Sequence, residues 1–162
     1  MLDQPKAIRN AAKAIIVRDN NLLALAKQDS QGRYYLLPGG GQNHGETLKE
    51  ALLRECLEEI GTEVEIGKLL FVREFIGNTY VHEALDEEEK KWLKNYHSID
   101  FIFACTVSEN YIPKNGNSPD GGQQHVEWLS IAKLNEYRIF PSPLKRLLVN
   151  PLNSDVYLGD VN

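Results

Sequence analysis

Cysteine is scarce in this chain: Cys56 and Cys105 are the only two among 162 residues, and both sit in apolar stretches. One pair placed so argues against a disulfide framework and suits a reducing compartment. Long apolar runs are missing as well. No stretch approaches the roughly 20 residues needed to cross a bilayer, and the opening MLDQPKAIRNAAKAIIVRD has no signal-type apolar core. The expected location is the cytoplasm, with no membrane partner. Basic charge is also in short supply: 18 Lys and Arg stand against 23 Asp and Glu, for a net −5, which argues against a stable nucleic-acid partner. His82, His97 and His125 lack zinc-type spacing with the cysteines and receive no metal role. Neither an internal repeat nor a linker interrupts the sequence. A chain of 162 residues suffices for one substantial core and is short for two, so residues 1–162 are read as a single domain.

What is present begins with strand-like segments. Residues 11–18 and 22–27 flank the turn-prone Asp19-Asn20-Asn21 and predict a hairpin. A third strand over 34–37 runs through Pro38 into Gly39, Gly40 and Gly41, where the chain is expected to turn sharply and expose its backbone. Residues 64–76, rich in β-branched and apolar side chains, predict a long strand or strand pair. Residues 77–94 read as a loop plus a short helix, with DEEEKKWLK as a solvated face. Residues 99–107 carry FIFACTV, the most apolar strand candidate, expected at the centre of a sheet. A loop over 110–124, a strand over 126–129, a final helix from Pro143 and a short strand in VYLGDV complete the pattern. Strands interleaved with two or three helices indicate an α/β, or mixed α+β, fold with a mixed sheet flanked by helices.

The chemistry concentrates in Gly40–Thr62, GGQNHGETLKEALLRECLEEIGT. Thr47 and Glu50 form a capping box, and Leu48, Leu52, Cys56 and Ile60 recur every four positions, with Leu53 and Leu57 widening the apolar stripe. Gly61 supplies the helix stop. Glu55, Glu58 and Glu59 stand at i, i+3 and i+4 and crowd one strip beside that stripe. Two unit charges about 5 Å apart at an effective dielectric near 20 repel by roughly 3 kcal/mol, which calls for compensation. Hard oxygens so arranged suit Mg²⁺ or Mn²⁺, and Arg54 supplies part of the balance. A Glu-rich helical strip on its own is usually a solvated face. The glycines and the remote Glu46 at fixed spacing outweigh that reading.

Gly40, Glu46, Arg54, Glu55, Glu58, Glu59 and Gly61 match position by position the box G-x5-E-x7-R-E-U-x-E-E-x-G-U, with U a bulky aliphatic residue. In this the chain resembles the Nudix (MutT-like) hydrolase family. Cys56 and Thr62 depart mildly from the aliphatic positions, and Asn43 stands where many relatives carry an additional Glu. The resemblance implies an α/β/α sandwich with a mixed sheet. It also implies Mg²⁺-dependent hydrolysis of a pyrophosphate linkage in a nucleoside diphosphate joined to another moiety. Its metal ligands would be Glu55, Glu58 and Glu59, with the Gly39 or Gly40 carbonyl as a further donor; Glu46 would support the metal waters and Arg54 would orient a neighbouring carboxylate. For the general base, Glu55 inside the box and Asp120 in the later loop stay open, Asp120 being readable also as a turn residue of SPDGG.

Substrate selection lies outside the box. Gly40, Phe75 and Tyr80 are the candidate substrate contacts, with Tyr35 and Trp92 as further aromatics near the expected cleft. His44 is either a phosphate contact or a solvated loop residue, and Glu127 is expected to face solvent from its strand. The implied partner is a small nucleotide-type molecule. Relatives are often homodimers, and VYLGDV is a contact-strand candidate. The competing function is a catalytically inactive Nudix-like module that senses a nucleotide; the intact acid set argues against it.

Overall fold

The computed structural model describes residues 6–150 and 154–162. The first five residues of the opening segment lie outside the described residues. The chain runs β1 (Arg9–Arg18), β2 (Asn21–Asp29), β3 (Gly32–Leu36), β4 (Gly39–Gly41), α1 (Leu48–Ile60), β5 (Glu65–Ile76), a 3-10 segment (Gly77–Glu83) and α2 (Glu87–Leu93). It continues through β6 (His97–Thr106), β7 (His125–Ser130), a second 3-10 segment (Ile131–Glu136), β8 (Ile139–Phe140), α3 (Leu144–Leu147) and β9 (Tyr157–Asp160).

The strands form one curled mixed sheet in the order β8-β3-β2-β1-β6-β5-β9, with β4 paired to β1 and β7 to β2. β1 links the halves. Its last residues pair with β2 through a turn in which Asp19 and Asn20 both take left-handed φ, of 50° and 59°, the primed geometry that suits strand twist. Its earlier residues pair antiparallel with β4 and parallel with β6, which places the FIFACTV strand inside the sheet as its composition predicts.

Both faces are covered, which is why β1 and β2 read as nearly continuous apolar runs. Ala12, Ala14 and Ile16 pack with Leu23 and Leu25 beneath Leu52, Cys56 and Ile60 of α1. The alternate residues Ile15, Leu22, Ala24 and Ala26 pack on the other side against Leu134, Leu144 and Leu147. Fully burying a side chain of this size contributes about 1.5–3 kcal/mol, so the two layers hold α1 firmly.

Two expectations are corrected. The triple glycine does not expose its backbone as a loop: Gly39, Gly40 and Gly41 form β4 opposite Lys13, Ala12 and Ala11, and Gly39 and Gly40 are buried. A Cβ at Gly39 would collide with the Ala12 carbonyl, so the approach needs glycine there. Leu53 and Leu57 do not widen the buried stripe; they are 41% and 48% exposed, and Glu59 takes a place on the buried face. The VYLGDV segment forms the expected short strand, β9, parallel to β5 at the edge of the sheet.

Candidate active site

Helix α1 is fixed at both ends. Thr47 Oγ1 accepts from the Glu50 N–H at 3.2 Å, and Glu50 Oε2 accepts from the Thr47 N–H at 2.7 Å. At the C-terminus, where helix carbonyls lack partners, the 110–124 loop supplies them. Gly116 N–H and Gln123 Nε2 donate to the Glu59 carbonyl at 3.0 and 2.8 Å, and Ser118 N–H donates to Glu58 at 3.0 Å. The Tyr111 hydroxyl donates to Ile60 at 2.9 Å.

Arg54 organises the acids. It donates to Glu46 through Nη2 at 2.6 Å and Nε at 3.2 Å, to Glu55 through Nη1 at 2.7 Å, and to the Gly41 carbonyl at 2.9 Å. Glu58 lies 3.5 Å from the same guanidinium. These bonds hold the Glu46 carboxyl below its ordinary range, helped by the Asn43 N–H, and keep Arg54 cationic. Glu59 differs: it is 3% exposed and accepts from the Gly39 N–H at 2.7 Å. Burial pushes it up to about 7, against the opposing pull of the Lys13 charge and that N–H.

Glu55 and Glu59 line a cleft of about 1440 Å³ together with Gly39 and Gly40. The cations Arg9, Lys13, Lys27 and Arg73 open onto it, as does Asp120, whose carboxylate pairs with Lys27 at 2.5 Å. Phe75, Tyr80 and Trp92 lie along the same cleft. Phe75 and Tyr80 stack at 5.3 Å with an interplanar angle of 23°. Tyr34 and Phe140 also border it, edge to face at 6.2 Å.

The structure therefore gathers Gly39, Gly40, Glu55, Glu59, Phe75 and Tyr80 on one cleft, and ties Arg54, Glu46 and Glu58 to it through the guanidinium. Glu58 is outside the cleft lining, and among the described residues no three acids or other ligating side chains converge as a ready cation cage. His44 is exposed. Tyr35 is buried, and its hydroxyl donates at 2.8 Å to Glu127, whose side chain is 34% exposed; His125 Nε2 also lies 3.0 Å from that carboxylate.

Sequence reasoning missed Lys13 and Lys27. A signal existed: each is a lone cation inside an otherwise buried apolar strand, AAKAIIV and LLALAKQ. It also missed the buried pair of Arg73 with Asp100, 2.8 Å apart at the cleft wall, because the partners lie 27 residues apart on separate strands.

Comparison with known proteins gives a consistent family. The NUDIX domain model matches residues 7–148. An RNA pyrophosphohydrolase of Wolbachia pipientis is 32% identical over 63 residues, 39% of this chain and 39% of that protein. A putative nudix hydrolase 1 of Caenorhabditis elegans is 25% identical over 138 residues, which is 82% of this chain but 32% of the relative. The chain thus matches about a third of the length of these curated relatives. A NUDIX hydrolase structure from Nitrosomonas europaea superposes with a TM-score of 0.63 at 18% identity, over 88% of this chain and 86% of that one, which is a likeness of fold.

Proposed function

The chain belongs to the Nudix domain family, and from that premise we propose that it is a Mg²⁺-dependent pyrophosphohydrolase acting on a nucleoside diphosphate linked to another moiety. The observation that carries this is the joint presence of the Glu55 and Glu59 carboxylates, five lysine and arginine side chains and an aromatic wall on one cleft. The family generally requires divalent cations, and the donors here fit Mg²⁺ in kind. Glu55, Glu59 and the Gly39 carbonyl are hard oxygens, and Mg²⁺ keeps most of its waters and needs only one or two protein carboxylates beside substrate phosphates. Glu58 is the third proposed ligand, held next to Glu55 by their shared Arg54. Mn²⁺ has the same donor preference.

A bound cation neutralises charge on the phosphate oxygens and acidifies the attacking water. The protein does the rest. Arg9 and Lys13 offset the pyrophosphate charge in a chain whose net charge is −5, while Lys27 and Arg73 on the same cleft are paired with Asp120 and Asp100. Water attacks one phosphorus, the bridging P–O bond breaks, and the water proton passes to Glu55, with Asp120 the alternative acceptor on the same cleft. Glu46 acts through Arg54, which fixes the Glu55 carboxylate. Phe75 and Tyr80 form the wall against which the base or second moiety lies.

The inactive-sensor reading has one observation in its favour: Lys13 donates to the Gly39 carbonyl and Arg54 holds Glu55, so cations of the protein already occupy donors of the site. Incubation with nucleoside triphosphates, ADP-ribose, nucleotide sugars and dinucleoside polyphosphates, with and without Mg²⁺, separates the two. Metal-dependent release of products that is lost in Glu58→Gln and Glu59→Gln supports the hydrolase. Tight binding without turnover supports the sensor.

A further inference from the structure

We propose that Asp160, at the end of strand β9 behind the cleft, is a positioning residue setting Tyr80 for the ligand's ring. This deepens the function proposed above and rests on it.

The 3-10 segment that carries Tyr80 has no side-chain cap of its own at Ile76. Asp160 supplies one from about eighty residues away: its carboxylate accepts from the Ile76 N–H at 2.9 Å and from the Thr79 hydroxyl at 2.7 Å. Its backbone carbonyl accepts from the Tyr80 hydroxyl at 3.2 Å. One residue therefore fixes the start of the segment, its third residue and the phenol tip of its fourth. Tyr80 in turn stacks on Phe75.

The segment after Asp160 is tied in as firmly. Val161 N–H donates to the Glu74 carbonyl at 3.1 Å, and Arg73 Nη1 donates to the Val161 carbonyl at 2.6 Å while its Nε holds Asp100. Ser142 Oγ donates to the Asn162 carbonyl at 2.5 Å, and Asn162 itself lines the cleft. Asp160, Val161 and Asn162 thus contact both sides of the opening, Tyr80 and Arg73 on one and Ser142 on the other. A strand present only for packing would not need a carboxylate directed at the segment that presents Tyr80 to the cleft.

The test is calorimetric titration of the parent protein, Asp160→Ala and Asp160→Asn with AMP and ADP-ribose in Ca²⁺, alongside thermal melting. Asp160→Ala is expected to raise Kd about tenfold for a ligand the parent binds. Asp160→Asn keeps a carbonyl for Ile76 and can pair its amide with the Thr79 hydroxyl turned round, so it is expected to restore most of the affinity. An Asp160→Ala protein that melts lower yet binds as the parent does would overturn the positioning role. Binding by the parent without any turnover in Mg²⁺ would sink the hydrolase reading while the affinity ratio still decides this one. A parent protein that binds neither probe would overturn both.

Discussion

Glu59 carries opposing demands. Its carboxylate is buried on the core-facing side of α1, with the Gly39 N–H as its hydrogen-bond donor, and burial raises it from an ordinary 4.5 to about 7. Below 4.5 it is protonated in folded and unfolded chains alike and contributes nothing to the pH dependence. As pH rises toward 7 the folded state binds the extra proton, so stability falls, and above 7 the whole penalty is present. At about 1.4 kcal/mol per pH unit this climb amounts to roughly 3 kcal/mol. Metal-free Glu59→Gln is therefore expected to melt several degrees above the parent at pH 8 and level with it at pH 5, while losing at least about 100-fold in activity. An identical difference at both pH values would remove the titration argument. Arg54 makes a complementary case. Its planar fork reaches Glu46, Glu55 and the Gly41 carbonyl at once, which a lysine ammonium on a single stem cannot do. Arg54→Lys should lower kcat about 10- to 100-fold with KM nearly unchanged, as steady-state kinetics would show.

Strand β4 and the loop over 110–124 both hold the C-terminal half of α1, β4 against the Glu55 and Glu59 side chains and the loop at the last carbonyls. A Cβ on Gly40 would stand 2.5 Å from the Glu55 carboxylate, so Gly40→Ala must move that side chain. The expected result is a large loss of activity with a small change in melting temperature, since the neighbour that yields is the end of a side chain. Gln123→Ala removes donors to the Glu59 carbonyl and to Asn115. It should lower stability by about 0.5–1.5 kcal/mol, since the Gly116 N–H still serves the Glu59 carbonyl, and speed proteolytic cleavage within 110–124, a readout the Gly40 change leaves alone. These two elements also mark where sequence reasoning stops. Helix α1 is legible to its caps, because Thr47, Glu50 and Gly61 are local signals that act within a turn of the chain. The β1–β2 hairpin and β6 are legible for the same reason. The pairing of β4, the 3-10 segments and the exposure of Leu53 and Leu57 are not, because each depends on what the rest of the chain brings alongside. The acid strip was readable at fixed spacing; that Glu59 is buried and Glu58 turned outside the cleft is a property of the sheet beneath, which no spacing encodes.

Across the whole molecule, the cleft joins the two parts of the curled sheet: Arg9, Lys13, Arg73 and Asp100 come from β1, β5 and β6, and Lys27, Asp29, Tyr34 and Phe140 from β2, β3 and β8. A cation bound between Glu55 on α1 and the β4 backbone would tie these parts together, and any ligand that binds only the folded state stabilises it by RT ln(1 + [L]/Kd). Magnesium should therefore raise the melting temperature relative to a chelator. At a concentration about 100 times Kd the gain is about 2.7 kcal/mol, which for a chain of this length corresponds to several degrees. The ligand set must be deprotonated to bind, and Glu59 titrates near 7, so the gain should be smaller at pH 6 than at pH 8. Paired melts in Mg²⁺ and chelator at both pH values, on the parent and on Glu59→Gln, check this. The parent should show the pH-dependent gain and the variant should show little of it. A variant that gains as much as the parent would place the stabilising cation away from Glu59, and with it the proposed chemistry of the cleft.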